Sequence, residues 1–469
     1  MTATRELVGA AERTPGPGWS DLPGDLLESV LGRLPLTDRL RFPAVCTGWR
    51  SAAAVSAALV QAVGVQSPWL MLPFNPTAHG QMQHASVSTC SEARFLSLDD
   101  GRTYGIPQPA PAVSDRLCIG SSPDGWLVTA DAASELHLLN PLTRVQVQLP
   151  PPTTLPFVHA RHAADGRVVS YSIQCCFDDD GNGGDGDAAV VVPSESFALD
   201  RLRFELYEKA ILVSAPRKRQ TGSWDGYAVM LICQPLSRLA IARAGDSRWT
   251  LLDTPSRRWV DAVRASSAVG AGGRQLVYAL DSAGRVEAWD VDATTPTREA
   301  VAPACCCCSG RACSMSGACG RYLVELSPGR LLQVHRLREA AHARYRCEPR
   351  PERVEYTTVD AELFEWTDDG RWNPLDGKNA GVLSGHALFL GKNASLCVPV
   401  DGCRPELKGN CVYFTDDGPW SHDRCREVAP DVGVLELADG TYRPPRGAAR
   451  DLLWKWPPPV WVFPSCADD

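Results

Sequence analysis

A mainly β fold with a small N-terminal α module is what this sequence of 469 residues predicts, and three observations carry the prediction. Helical periodicity is unmistakable only in residues 19 to 58, WSDLPGDLLESVLGRLPLTDRLRFPAVCTGWRSAAAVSAA. From Ser67-Pro68 onward, short alternating apolar runs replace it. Between those runs stand Asp100-Gly101, Asp124-Gly125, Asp225-Gly226, Asp369-Gly370 and Asp439-Gly440, and Asp-Gly supplies the positive φ angles of tight hairpin turns.

In the helical stretch, Pro23 suits the first helical position, where its fixed φ helps and its missing N–H costs nothing. Leu26, Leu27, Val30, Leu31 and Leu34 then recur at helical spacing, and Pro35 stops the helix. Thr37 or Asp38 can cap a second short helix carrying Leu40, and Pro43 opens a third carrying Val45, Cys46 and Trp49. Gly48 inside that third helix costs about 1 kcal/mol relative to alanine. A unit of roughly 40 residues removes too little apolar surface from water to offset its chain entropy, so its leucines call for a covering partner.

Leu22-Pro23, the leucine ladder, Val45-Cys46 and Trp49-Arg50 resemble the F-box, an adaptor-binding motif. The resemblance implies docking on a Skp-type adaptor and, through it, on a cullin ubiquitin ligase. It carries adaptor binding onto Leu22, Pro23, Leu26, Leu27, Val30, Leu31, Leu34, Leu40, Val45, Cys46 and Trp49. Pro43, where such motifs usually have a basic residue, and Gly48 depart from the pattern.

Residues 1 to 18 read as a disordered tail, 19 to 60 as the F-box, and 61 to 92 as a linker leading into the β domain. Within that domain, residues 275 to 291 and 322 to 337 are the clearest hairpins. A β region this long is too large for one simple sandwich and fits repetition around an axis, although no strict blade period is present. CIGSSPDGWLVTADAASELHLLNPLTRVQVQLPP, GRQLVYALDSAGRVEAWDV, RYLVELSPGRLLQVHRL, GHALFLGKNASLCVPV, LKGNCVYFTDD and WPPPVWVFPS resemble, in order, segments of plant F-box proteins with a KIB-type β-propeller. The resemblance implies a three-helix F-box followed, over residues 93 to 464, by a propeller of about six or seven blades, one of them completed by the two terminal strands. Residues 176 to 190 and 304 to 319 read as low-complexity loops.

The formal charge of -8 and pI near 5.7 offer no positive field for nucleic acid. Arg217-Lys218-Arg219 is the one compact basic run, read as solvated loop rather than import signal. The first residues lack the apolar core of a signal peptide, so the 18 cysteines are expected to be reduced, in a cytoplasmic and/or nuclear protein. No apolar run is long enough to span a membrane, and Cys466 lacks a prenylation context.

Candidate chemistry is sparse. Asp178, Asp180, Asn182 and Gly183 copy the opening of a calcium loop, but Ala189 stands where the closing glutamate belongs. Cys305 to Cys308, with Cys313 and Cys319, invite a zinc reading, but four cysteines in a row cannot all converge on one tetrahedral ion because neighbouring side chains of an extended chain point oppositely, so an incidental small-residue loop is expected. Cys397, Cys403, Cys411 and Cys425, with His422, read as small apolar groups in strands and turns, and His159 and His162 as surface residues. Asn393-Ala394-Ser395 is a sequon that stays idle outside the secretory route. Trp224, Trp249, Trp259, Trp366, Trp372, Trp420 and Trp461 could serve a binding face or the blade cores, and core packing is the default. No hydrolase, zincin or phosphate-loop motif occurs. The expectation is a non-enzymatic receptor without metal or cofactor, with an unidentified protein substrate. Its rivals are a propeller binding module whose degenerate F-box only packs internally, and a propeller enzyme with ionisable residues converging in the central channel.

Overall fold

The computed structural model describes residues 18–34, 36–55, 67–73, 92–111, 116–174, 195–254, 257–265, 276–293, 295–305, 319–342, 354–367, 369–375, 383–400, 406–417, 430–448 and 459–465. The chain divides into two compact units between Gln66 and Ser67. The calcium-like loop, Cys306 to Cys308, Cys313, Cys403, Trp420, His422 and Cys425 lie outside the described residues.

The first unit holds α1 (Gly24–Arg33), α2 (Leu36–Arg41) and α3 (Thr47–Val55), with 3-10 turns at Trp19–Asp21 and Phe42–Ala44. Leu27 and Leu31, one turn apart on α1, meet Phe42 and Ala53 in a small core, with Leu22, Val30, Leu34, Trp49 and Ala52 packed partly against it. Three local expectations shift. Pro23 is the residue before the helix, its carbonyl accepting the first helical bond from the Leu27 amide at 3.1 Å. The second helix begins at Leu36, so Thr37 and Asp38 fall in its first turn rather than capping it. Pro43 belongs to the 3-10 turn, and Val45 and Cys46 precede α3 instead of riding on it. Gly48 has a compensating use: a side chain there would bring its Cβ to 3.3 Å from the Ser20 carbonyl, so glycine lets the first 3-10 turn approach α3 closely.

The second unit is built of β-sheets. The first blade joins β1 (Trp69–Leu72), β2 (Glu92–Ser97) and β3 (Thr103–Pro107) to the C-terminal strand β30 (Val460–Val462), in the order β3-β2-β1-β30. Blade two is β4 (Leu117–Ser121), β5 (Leu127–Ala130), β6 (Leu136–Leu139) and β7 (Gln146–Gln148). A separate sheet of β8 (Val158–His162), β9 (Val168–Ile173) and β10 (Glu195–Ala198) precedes α4 (Leu199–Leu206). Blade three is β11 (Tyr207–Ser214), β14 (Ala228–Cys233), β15 (Arg238–Arg243) and β16 (Thr250–Leu251), with the ribbon β12 (Arg217–Lys218) and β13 (Trp224–Asp225) inserted. Blade four runs β17 (Trp259–Arg264), β18 (Leu276–Asp281), β19 (Val286–Asp290) and β20 (Thr297–Ala302). Blade five runs β21 (Cys319–Ser327), β22 (Arg330–His342), β23 (Val354–Thr367) and β24 (Arg371–Leu375).

Blade six contains β25 (His386–Leu390), β26 (Leu396–Pro399), β27 (Cys411–Phe414), β28 (Gly433–Glu436) and β29 (Thr441–Arg443). Its order, β26-β25-β27-β28-β29, includes a parallel pairing of β25 with β27, because the chain turns inward to β26 before crossing back.

The innermost strands follow one another: β30 lies beside β4, β4 beside β11, β11 beside β17, β17 beside β21, and β21 beside β26. A shared core of Leu70, Leu72, Phe389, Tyr413, Trp461 and Phe463 joins the sixth blade to the first and closes the ring. Among the described residues the domain is therefore a six-bladed propeller, and the first blade is completed by a strand from each end of the domain, as the resemblance implied. The β8–β10 sheet stands outside this order and shares the apolar cluster of blades two and three. Both expected hairpins form, and the glycine of each Asp-Gly pair has positive φ. Trp249, Trp259, Trp372 and Trp461 are buried, while Trp224 and Trp366 are partly so.

One carboxyl in this domain gives a pH test. Glu135, in the turn between β5 and β6, has its pKa pushed up to about 7 by burial and by neighbouring Asp131. Since the folded carboxyl holds its proton more tightly than an unfolded one, its contribution to stability is complete below about 4.5 and fades as pH rises through 7. Glu135→Gln is expected to raise the Tm near pH 8 and to leave it almost unchanged near pH 4, read by thermal melts across that range.

Candidate functional site

Two places gather side chains that function could use: the outer face of the helical unit and the axis of the propeller. The leucine ladder splits into two stripes. Leu27 and Leu31 point inward, whereas Leu26, one position around the helix, keeps 50% of its surface exposed, and Val30 and Leu34 on the same stripe are partly buried. Val45 is 58% exposed, Pro23 is exposed, and Cys46 is half-buried. Leu40 lies on α2, its side chain outside the described ones. Thus the residues expected to bind a partner divide into a scaffold (Leu27, Leu31), a flank (Leu22, Val30, Leu34, Trp49) and an exposed set (Pro23, Leu26, Val45).

Polar bonds hold that face in place. The Trp49 indole donates to the Trp19 carbonyl at 2.9 Å and packs against Phe42 with ring centres 4.4 Å apart and the planes tilted by 35°. Arg39, buried to 6% exposure, donates to the Leu34 and Gly32 carbonyls at 2.8 and 3.0 Å, satisfying carbonyls at the end of α1. Sequence reasoning missed three residues here. Phe42 and Arg39 carry no periodic signal, and Trp19, 77% exposed, stands ahead of the first helix, where only an apolar residue just before Leu22-Pro23 could have flagged it.

At the propeller axis, ionisable side chains do converge. Lys209 on β11 and Asp261 on β17 pair at 2.7 Å, with side chains 6% and 0% exposed. Asp261 also accepts the Ser395 hydroxyl at 2.6 Å and the Leu323 and Ala262 amides at 2.9 and 2.8 Å. Beyond it, Asp417 accepts Arg336 at 2.8 Å, Arg338 at 2.6 Å and the Tyr322 hydroxyl at 2.6 Å. Burial alone would raise the Asp417 pKa, but the Arg336 and Arg338 guanidinium groups hold it well below the usual carboxylate range. Next to this group Asp431 accepts the Thr358 amide at 3.0 Å and its hydroxyl at 2.5 Å, fixing β23. Lys392, its pKa lowered by burial, donates to the Glu208 carbonyl at 2.5 Å. Lys209 with Asp261, and Arg336 and Arg338 with Asp417, are ion pairs, whereas Asp431 and Lys392 bond uncharged groups. They fix strands in register rather than present a nucleophile beside a free base.

The remaining candidates fall where the sequence reading put them or nearby. His159 and His162 are exposed on β8, and among the described residues no group of histidine, cysteine or acidic side chains could hold a metal. Cys397 has its thiol pushed up to about 12 by burial, and Cys411 is raised for the same reason, so both behave as inert apolar groups. Arg217 and Lys218 are exposed on the β12–β13 ribbon, where Arg219 pairs with Asp225; this is a folded hairpin, not a free linear signal. Asn393 of the sequon is fully buried. No described helix is long and apolar enough to cross a membrane.

Comparison with known proteins supplies what geometry does not. Residues 95–436 match the KIB1-4 beta-propeller family, and residues 19–55 match the F-box domain. An F-box protein of Arabidopsis thaliana is 29% identical over 133 residues, covering 28% of this chain and 29% of that protein. An F-box/kelch-repeat protein of the same plant is 32% identical over 133 residues, covering 28% of this chain and 32% of its own length. The matched stretch thus spans less than a third of either relative. Among solved structures, YCF48 bound to D1 peptide is similar with a TM-score of 0.25 and 10% identity, over 67% of this chain and 86% of that one.

Proposed function

We propose a function from one premise: the chain belongs to the KIB1-4 β-propeller family and carries an F-box domain ahead of its propeller. It acts as the substrate-recognition subunit of a Skp-cullin-F-box type ubiquitin ligase, in the cytoplasm and/or nucleus. The F-box, residues 19 to 60, holds a Skp-type adaptor and through it the cullin, and the propeller captures a protein to be ubiquitinated.

The single observation that supports this best is the apolar set left in water on the helical unit, Leu26 at 50% and Val45 at 58% exposure beside Pro23. A module this small gains by covering such a face with another chain. On this reading Pro23, Leu26 and Val45 touch the adaptor, Leu22, Val30, Leu34, Cys46 and Trp49 flank the contact, and Leu27 and Leu31 shape it from within.

Catalysis belongs elsewhere in the complex. A bound substrate is brought to high effective concentration near a ubiquitin-charged enzyme, so this subunit needs a rigid body and a specific surface rather than reacting groups. Buried, mutually paired charges at the axis are what rigidity requires, and they favour the receptor over a channel enzyme. The test is affinity capture of the full chain from plant cells with and without proteasome inhibition. A protein that is held equally by wild type and by Leu26→Asp, and that accumulates in ubiquitinated form only with wild type, is the expected substrate. Its ubiquitination by the variant at the wild-type level would overturn the assignment.

A further inference from the structure

The connection between β25 and β26 does something a hairpin turn need not do. Gly391 through Ser395 belong to blade six, yet they bond to blades two, three and four. The Ala394 amide donates to the Ser121 carbonyl on β4 at 2.9 Å. Lys209 on β11 donates to the Gly391 carbonyl at 3.0 Å and reaches the Ser395 hydroxyl at 3.4 Å, while Lys392 donates to the Glu208 carbonyl. Ser395 donates to Asp261 on β17. In a ring of six, blade three faces blade six across the axis and blades two and four flank it. A segment that touches all three has crossed the centre.

The segment is also packed as an interior. Asn393 and Ser395 are 0% and 1% exposed, and Asn393 donates to the Phe389 and Ala394 carbonyls at 3.2 and 2.8 Å. Gly391 lies so close to Thr415 that a Cβ there would stand 2.1 Å from its hydroxyl oxygen, at a φ of +144 that side chains rarely adopt.

We propose that Gly391–Ser395 is a plug built into the propeller axis and latched by Lys209, closing the central channel to any ligand at that depth. Two consequences follow from the placement. Recognition of a partner falls to the blade faces and rims, since the passage through the ring is filled by the chain itself. Ring closure is made twice, once by β30 on β1 and once by a strap from blade six to the far side. This inference stands apart from the adaptor reading, because it concerns only the propeller.

Hydrogen exchange read by mass spectrometry on the full chain tests it, with the exposed turn at Gly440 and the central strand β14 as internal references. In the wild type, the Ala394 amide is expected to exchange on the slow scale of β14 although it lies in a connection. Lys209→Met, which removes the bonds to Gly391 and Ser395 and the ion pair with Asp261, should speed its exchange by about tenfold or more while β14 stays slow. Ser395→Ala, which removes a single hydroxyl and leaves the ion pair, should give a smaller acceleration at the same amide, and decides the matter should Lys209→Met fail to fold. Exchange at Ala394 as fast as at Gly440 in the wild type, or unchanged by Ser395→Ala in a folded protein, would overturn the plug.

Discussion

Leu26→Asp combined with Val45→Asp is expected to weaken binding of a Skp-type adaptor at least about 100-fold, while the helical unit stays folded. Both side chains are half exposed or more in the free chain, so a carboxylate at either position remains hydrated until a partner arrives. Docking would then strip that water from two charges in an apolar contact. A loss of about 1.4 kcal/mol for each charge, a modest share of a buried carboxylate's desolvation cost, already multiplies to that factor. Leu31→Ala makes the informative contrast. Its side chain is fully buried, so truncation is expected to cost about 2–5 kcal/mol and to abolish binding by loosening the module itself. Circular dichroism separates the two: the exposed double variant keeps its helical signal and loses affinity, whereas the core variant loses both.

Asp417→Ala carries the largest expected loss of stability in the propeller, about 3–5 kcal/mol, because it strands two buried guanidinium groups. Arg336 is 0% and Arg338 9% exposed at the side chain, and both direct an N–H to the same carboxylate oxygen. Tyr322 donates to the other oxygen, so one substitution removes a shared acceptor from three side chains between blades five and six, leaving Arg336 its bond to the Thr415 carbonyl and Arg338 its bond to the Tyr322 hydroxyl. Asp417→Asn keeps the shape and part of the bonding and should cost less, though it removes the directly bonded counter-charge and leaves the arginines only the more distant Asp416 and Asp431. Acid should mimic the change. The folded carboxyl is held below its ordinary value of 3.8, so its stabilisation is intact above that pH and drains away as pH falls toward the folded value. Urea titrations near pH 7 and near pH 3 are expected to show wild type approaching Asp417→Ala at the lower pH.

Much of the architecture was legible in the residues, and the reasons are physical. Strand alternation and Asp-Gly turns are local signals, so the hairpins at β18–β19 and β21–β22 could be placed closely. The helical ladder was equally plain, but periodicity cannot tell Leu26 from Leu27: both sit on one apolar face, and only packing against Phe42 and Ala53 makes one interior and the other exposed. Pro43 was read as a helix opener because proline suits a first turn; here the turn is 3-10 and the helix waits until Thr47. The blade number came from resemblance, since strands of unequal length and an added sheet at β8–β10 blur any period.

The axial network was invisible for a different reason. Lys209, Asp261 and Ser395 are far apart in sequence and meet only because the sheets close into a ring, as do Asp417 and the Arg336–Arg338 pair. Nothing in a window of ten or fifteen residues marks GKNAS as a segment that crosses that ring. Its sequon was read as idle, and Asn393 is buried. A rival enzyme was expected to show converging charges at the axis. Convergence is there, as the ion pairs of Lys209 with Asp261 and of Arg336 and Arg338 with Asp417, although the Nε atoms of both arginines are left without a hydrogen-bond partner among the described residues.

The most direct measurement of the central claim is the mass of the complex formed when the purified full chain is mixed with a purified Skp-type adaptor at micromolar concentration, read by light scattering in line with gel filtration. A one-to-one species with wild type, absent when Leu26 and Val45 are both changed to aspartate, is the predicted result. Two separate peaks with the wild-type chain would contradict it, and with it the assignment of the exposed helical face to an adaptor.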